Sequence, residues 1–458
     1  MFEKEGTILT MERITIFHSN DIHSCFDQWS QMVAHIKKER DGHTLYLELG
    51  DHADRSNPIT EAMVGKGNIE LLNEAKTDYV TIGNNEGVTF SKEQLTSLYA
   101  DATFPVLLAN IINADGSGLD WAKRFVIHTM KNGLKVGMIG LTAPFLHFYE
   151  LLGWKALSPQ DVLQELLPQL EKEADIVILM SHLGLKTDEK IANQFPGIDV
   201  ILGAHTHHVL PSGLYINETL IAQAGKNGAF LGRVDIQFDR KTQSIYRKEA
   251  VLLDVKNQDT DPKTDDLLKE MKDKAHFLLN EPITTLPQAL PVKWQEHTDI
   301  CQMLCDAVTE WCGEKVGMLN AGVLLDSLEK GIVTKGDIHR ICPHPINPCV
   351  VTLTGEALET TIKRSLTSEL THLELKGFGF RGKVLGKMLF TGIEIDEMES
   401  IRILGQPLVK DQVYRVATLD MYTFGYIFPT IAEAEQKHYF MPEFLRDVLA
   451  WKLKQIWT

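Results

Sequence analysis

A mixed α/β fold is what the sequence predicts, and three observations carry it. Apolar runs of strand length recur along the first half of the chain: Ile14–Phe17, Leu45–Leu49, Tyr79–Ile82, Ile176–Met180 and Val200–Leu202. Helical stretches, Trp29–Arg40 and Pro159–Ala174 among them, separate these runs. Two further runs, Leu220–Ala224 and Leu231–Phe238, read as antiparallel strands, so the sheets are expected to be mixed and not purely doubly wound.

The ends of the five runs carry the chemistry. The first runs into Asn20-Asp21-Ile22-His23, the second into Gly50-Asp51 and the third into Gly83-Asn84-Asn85-Glu86. The fourth ends in Ser181-His182 and the fifth in Gly203-Ala204-His205-Thr206-His207-His208. A single His after a strand is usually structural. Five consecutive strand ends bearing Asp, Asn or His are a donor set for divalent first-row metals, delivered to the cleft at the C-terminal edge of a sheet. Two ions about 3.5–4 Å apart can clamp both the attacking and the leaving oxygen of a phosphoryl transfer. Asp51 is the expected bridge, because it stands alone and follows a Gly that permits close backbone approach. No thiol lies among these motifs, which argues against a structural zinc site.

Composition fits a large enzyme. The 458 residues suffice for two or three domains, and 44% hydrophobic content supports full cores. A formal charge of -16 argues against a nucleic-acid polymer as partner, and it is no obstacle to a small phosphate ester where divalent cations set the local potential. The six cysteines, Cys25, Cys301, Cys305, Cys312, Cys342 and Cys349, form no framework and read as free buried thiols. No apolar run approaches the roughly 20 residues of a membrane span. Met1–Thr10 lacks the apolar core of a secretory signal and reads as a dispensable extension or a misassigned start, so a cytoplasmic location is expected. There is no P-loop or dinucleotide fingerprint, which removes kinase and dehydrogenase readings.

The organisation is read as three segments. Residues 12–255 form the metal-bearing domain. Residues 256–282 form a linker, in which Asp261-Pro262 opens a helix with Asp as cap and Pro at the first helical position. Residues 283–458 form a second, smaller mixed α/β domain that begins with a helix over His297–Cys312, apolar at Ile300, Leu304, Val308 and Trp311.

The five blocks, in this order and spacing, resemble the calcineurin-like metallophosphoesterases, in particular their two-domain 5′-nucleotidase branch. The resemblance covers nearly the whole chain. It implies a first domain of two packed mixed sheets flanked by helices and a C-terminal domain that binds and selects substrate. It implies two divalent ions (Mn, Zn, Fe or Co). Asp21, His23 and His207 would hold one and Asn84, His182 and His205 the other, with Asp51 shared. It implies hydrolysis of a phosphate ester, most simply a nucleotide, by hydroxide formed at the metal pair. A diester or pyrophosphate hydrolase, acting on cyclic nucleotides, nucleotide sugars or dinucleoside polyphosphates, is the alternative of the same chemistry. A metal-bound nucleotide sensor with decayed catalysis is the alternative of another class.

Two departures mark this chain. The family's third block reads Gly-Asn-His-Glu or Gly-Asn-His-Asp, and its His lies near the scissile phosphate. Here Asn85 stands in that place, and an amide cannot act as a general acid near neutral pH. Arg55 and His208 are the candidates to supply the missing charge, against a structural or solvated role for each. In the C-terminal domain, Asn320 matches the Asn that opens the family's Asn-Gly-Gly-Gly-Ile-Arg block, but Leu325 stands where the phosphate-binding Arg is expected. The family's closing Gly-Gly-Asp-Gly turn is missing. Met421 stands near one expected base-pocket aromatic and Lys387 or Met388 near the other. Tyr422, Phe424 and Tyr426 are left as a stacking surface for a base, or as core aromatics.

Overall fold

The computed structural model describes residues 11–375, 377 and 379–457. The reading of Met1–Thr10 as an extension lies outside the described residues. The chain divides after Lys272 into two compact units.

The first unit contains two mixed sheets. One has seven strands in the order Ser244–Leu253, Leu231–Asp239, Met11–Ser19, Thr44–Glu48, Tyr79–Val80, Val106–Leu107 and Ala122–Lys123. The other has six, in the order Leu214–Ile216, Thr219–Ala222, Val200–Gly203, Ile176–His182, Lys135–Thr142 and Phe125–Thr129. The sheets pack face to face. Ile14, Ile16, Leu45 and Leu47 of the first share one core with Met138, Ile178, Met180 and Leu202 of the second. The alternate residues Val177, Leu179 and Ile201 face outward, against Leu163, Leu166 and Leu170 of the helix Pro159–Glu173 and Ile191 of the helix Leu185–Gln194. On the outer face of the seven-stranded sheet, Phe17 meets His35 of the helix Trp29–Glu39 edge-on at 5.6 Å. Strands covered on both faces must be apolar throughout, which is why these runs read as continuous rather than alternating.

The expected strands and helices are present, with shifted ends. The third strand is only Tyr79–Val80, and His182 lies inside its strand rather than after it. One pairing differs from expectation. The strand Thr219–Ala222 runs parallel to Val200–Gly203 and antiparallel only to Leu214–Ile216. The strand Leu231–Asp239 is antiparallel to both its neighbours, as expected.

The helix Pro262–Leu279 is capped by Asp261, whose carboxylate accepts from the Thr264 backbone N–H at 3.0 Å. The division between the units falls within this helix. The second unit is built on a five-stranded mixed sheet ordered Met388–Thr391, Gly317–Asn320, Val413–Leu419, Pro348–Thr354 and Lys437–Tyr439. The helix Asp299–Trp311 buries Ile300, Leu304 and Val308, while Trp311 is half-buried against Trp451. All six cysteines are free; five are buried and Cys25 is half-buried.

Candidate metal centre

Parallel pairing brings the ligand-bearing ends to one edge. Met11–Ser19, Thr44–Glu48 and Tyr79–Val80 are mutually parallel in one sheet, and Ile176–His182 and Val200–Gly203 are parallel in the other. Beyond the first two strands the chain continues as two loops side by side. The Asp21 N–H donates to Gly50 O at 3.0 Å, and His23 N–H to Asp51 O at 2.8 Å. Asp21, His23, Asp51, His205 and His207 all have φ between 49° and 71°. Left-handed backbone is costly for residues with a Cβ and persists where the surroundings impose it, so strain is concentrated on the expected ligands. Two glycines make the approach possible. A Cβ on Gly50 would lie 2.2 Å from Gly83 N, and one on Gly83 would lie 2.1 Å from Asp51 Oδ1 and 2.6 Å from His182 Cε1.

Five of the seven expected ligands converge, and His205 and Asn84 adjoin them. The donor atoms of Asp21, His23 and His207 lie within 4.8 Å of one another, as do those of Asp21, Asp51 and His182. Asp51 reaches both ways, with Oδ2 at 3.9 Å from His23 Nε2 and Oδ1 at 3.5 Å from His182 Nε2. His207 Nε2 is 3.4 Å from Asp21 Oδ1. His205 joins through Asn84, whose Oδ1 is 2.8 Å from His205 Nδ1, and its ring lies 5.3 Å from that of His182.

Electrostatics fits this cluster to a cation. His182 is fully buried; its Nδ1 lies 2.7 Å from Leu49 O, which fixes the proton there and turns the Nε2 lone pair toward Asp21 and Asp51. That Nε2 is a buried polar atom with no hydrogen bond among the described residues. Burial alone would disfavour the charged ring, but Asp51 and then Asp21 outweigh it and raise the His182 pKa to about 10. For His23, burial is outweighed by the hydrogen bond to Asp54 and the charges of Asp51, Asp54 and Asp21, so its pKa also rises. His205 moves the other way, down to about 4, through burial and then the His182 charge. Buried carboxylates thus draw positive charge onto neighbouring imidazoles, and a divalent ion held among these oxygen and imidazole donors would satisfy the same field.

Three supporting residues carried no assigned role in the sequence. Glu86 accepts the backbone N–H of Asp51 at 2.8 Å, Gly83 at 2.9 Å and Ala53 at 2.7 Å, stitching the second and third blocks together. Asn20 ties the first block to the chain just after the strand Thr219–Ala222, donating to Asp21 Oδ2 and Gly225 O and accepting from Ala224 N–H. Both stand inside the quoted motifs, which was the available signal. Asp54 lies behind His23, 3.6 Å from Nδ1, and nothing in the sequence distinguished it.

Asn85 is brought to the cluster, and Arg55 and His208 are not brought into the same role. Asn85 is buried; its backbone N–H donates to Asp51 Oδ1 at 2.7 Å and its side-chain nitrogen is 3.0 Å from His23 Nδ1. The Arg55 guanidinium is bound by both carboxylate oxygens of Glu61, at 2.9 and 3.2 Å, and donates to Thr89 O at 3.1 Å. His208 is exposed, with Nδ1 2.9 Å from Thr206 Oγ1.

In the second unit the expected substrate residues separate. Asn320 and Tyr422 are fully buried and bonded to each other, the Tyr422 hydroxyl donating to Asn320 Oδ1 at 2.6 Å while Asn320 Nδ2 donates to Leu385 O. Tyr422 also packs edge-on against Phe428 at 5.0 Å. Both residues sit in the core of this unit. Phe424 and Tyr426 are exposed by 42% and 58%.

Comparison with known proteins follows the same lines. Residues 14–209 match the family profile of calcineurin-like phosphoesterases, and residues 282–427 match that of the 5′-nucleotidase C-terminal domain. A Bacillus subtilis protein described as the uncharacterized metallophosphoesterase YunD is 40% identical over 97% of this chain and 100% of its own. The chain belongs to the calcineurin-like metallophosphoesterases. This metallophosphoesterase is also 25% identical, over 78% of its length, to 28% of the B. subtilis trifunctional nucleotide phosphoesterase YfkN. Among solved structures, a putative 5′-nucleotidase from Staphylococcus aureus aligns with a TM-score of 0.70 at 18% identity over 96% of both chains. The NAD nucleotidase NadN of Haemophilus influenzae aligns at 0.67 and 16% identity over 97% of both. Those identities speak to the fold alone, which is the two-domain fold the sequence led us to expect. The metallophosphoesterase is a phosphoester hydrolase of a family that binds divalent metals. Among the described residues no helix is long and apolar enough to cross a membrane.

Proposed function

We propose that the protein hydrolyses nucleotides, using two divalent ions that share Asp51. The observation that carries this reading is the placement of the Asp51 carboxylate between two imidazole groups, His23 on one side and His182 on the other. Asp21, His23 and His207 would hold one ion, and Asn84, His182 and His205 the other. Such a pair supplies polarisation of the phosphoryl oxygens and a lowered pKa for water. The chain's own work is positional. The Leu49 carbonyl fixes the His182 tautomer, Asp54 and Asn85 orient His23, and Glu86 holds the two loops in register. No side chain needs to form a covalent intermediate. The donor set suits Mn, Zn, Fe or Co equally.

Nucleotides are favoured as substrates by the match to a 5′-nucleotidase C-terminal domain and by the likeness to YfkN. Phe424 and Tyr426 are the exposed aromatics of the closing segment and the candidates to stack on a base. A cytoplasmic location is supported by six free cysteines. The second reading, a diester or pyrophosphate hydrolase, is favoured by Asn85, since weakly basic leaving groups need no proton donor. The full ligand set weighs against a decayed sensor. A screen of nucleotides, cyclic nucleotides and pyrophosphate-type esters with added Mn, Zn, Fe or Co, read as released phosphate or nucleoside, tests the proposal. Hydrolysis of one nucleotide class, abolished by a chelator, is expected; no turnover of any phosphate ester under all four metals would remove it.

A further inference from the structure

The strand Lys135–Thr142 ends beside the strand that bears a ligand, with Thr142 paired to His182. The chain that follows therefore emerges on the rim of the ligand cluster. It reads Ala143-Pro144-Phe145-Leu146-His147-Phe148-Tyr149-Glu150-Leu151-Leu152 and forms the short helix Leu146–Leu151. Two contacts hold it there. The Phe145 ring lies 6.0 Å from the His205 ring, at 70° to it. Tyr149 is fully buried against Gly87, where a Cβ would come within 2.0 Å of the Tyr149 hydroxyl. Gly87 belongs to the helix Asn84–Thr89, which also bears Asn84 and Asn85. Phe148 meets Phe145 edge-on at 6.3 Å. Although anchored at both ends of its contact with the centre, the segment leaves Leu146 55% exposed.

We propose that Phe145, Leu146 and Phe148 form a shelf that receives an aromatic ring carried by the leaving group of the phosphate ester. The inference rests on the phosphoester reading of the ligand cluster and deepens it. Continuity selects the occupant: a phosphoryl group seated among the ligands beside His205 has its ester substituent within reach of Phe145. Charge narrows the class. The segment has no Lys or Arg and one carboxylate, Glu150, so a polyanionic leaving group finds no counter-charge on it. Leaving-group chemistry agrees, since Asn85 has no proton to give and an aryl or similarly stabilised oxygen needs none. An apolar ring gains from burial against apolar and aromatic side chains and from edge-to-face geometry with Phe145.

Binding of two phosphonates to the manganese-loaded full chain tests this without turnover. Naphthylmethyl phosphonate carries the ring and methyl phosphonate does not; calorimetry gives both affinities. The wild-type protein is expected to prefer the naphthyl compound by roughly tenfold or more, the effect of burying some tens of Å² of apolar surface. Leu146→Asn, at an exposed position, and Phe145→Ala should each cut that preference by at least about threefold. In Leu146→Asn, which touches no expected ligand, metal content and methyl phosphonate affinity should not change. A preference that is absent from the wild type, or that survives in both variants, overturns the shelf while leaving the metal reading intact; coverage of the shelf by the chain's own residues would give that result. If methyl phosphonate itself does not bind, the phosphoester reading of the cluster and the shelf fall together.

Discussion

Asn85 and His23 are coupled: the Asn85 side-chain nitrogen lies 3.0 Å from His23 Nδ1 and also donates to Ala53 O at 3.1 Å. Asp54 Oδ2 stands 3.6 Å from the same His23 nitrogen. The imidazole is thus gripped on its Nδ1 side, and its Nε2 points toward Asp21, Asp51 and His207. The residue that replaces the family's histidine contacts an expected metal ligand here. It is a positioning residue, buried and tied to the fold by both its backbone and its amide.

Asn85→Ala should therefore weaken metal retention as well as turnover. Loss of a group that orients a ligating histidine typically costs roughly 10–100-fold in metal affinity. Competition against a chelator of known affinity measures this directly, and Asp54→Asn should shift the same curve in the same direction. Unchanged metal affinity in both variants would mean that neither residue orients His23.

Asp51→Asn tests the shared carboxylate. The variant keeps the size of the side chain but loses one anionic oxygen, so it should hold fewer than two ions per chain and lose roughly 10²–10³-fold in kcat, as when a single group stabilising the transition state is removed. Dialysis of the wild type against a strong chelator should abolish activity, and added manganese or zinc should restore it. Full activity in the variant would exclude a bridged pair.

Much of the centre was legible because strand ends and ligand types are local features. Apolar runs buried on both faces announce themselves, and their terminal Asp, Asn and His follow directly in sequence. What was not legible depends on long-range geometry. The parallel pairing of Thr219–Ala222 with Val200–Gly203 leaves no mark in either segment. Arg55 stands four residues after Asp51, but Glu61 at the start of the next helix reaches back and claims it. Tyr422, Phe424 and Tyr426 alternate as if on one strand face. Asp420–Phe424 is instead a 3₁₀ turn, whose three-residue period sends Tyr422 inward and leaves Phe424 exposed.

That separation of the aromatics can be measured. Tyr422→Phe removes only the hydrogen bond to Asn320 and should cost about 1 kcal/mol of stability with an unchanged KM for nucleotides. Tyr426→Ala should leave stability nearly unchanged and raise KM, since base–aromatic stacking is worth roughly 1–3 kcal/mol. Thermal denaturation and steady-state kinetics on both variants decide it. The opposite pattern would return Tyr422 to the substrate site.

Asp420 gives the second unit a pH signature. Burial raises its pKa to about 7, against the lowering effect of the Asn347 and Met421 backbone N–H groups. In the unfolded chain the same carboxyl titrates near 3.9. Below about pH 4 both states are protonated and the group contributes no difference. Between about pH 4 and pH 7 the folded protein holds a proton that the unfolded chain has released, so stability falls as pH rises, and the fall ends above about pH 7. Asp420→Asn cannot ionise and escapes this loss. Its melting temperature relative to the wild type should therefore rise between pH 4.5 and pH 8, by an amount equivalent to roughly 1–4 kcal/mol. Scanning calorimetry at the two pH values reads the difference directly. An offset between variant and wild type that is the same at both would show that Asp420 is ionised in the folded protein throughout that range.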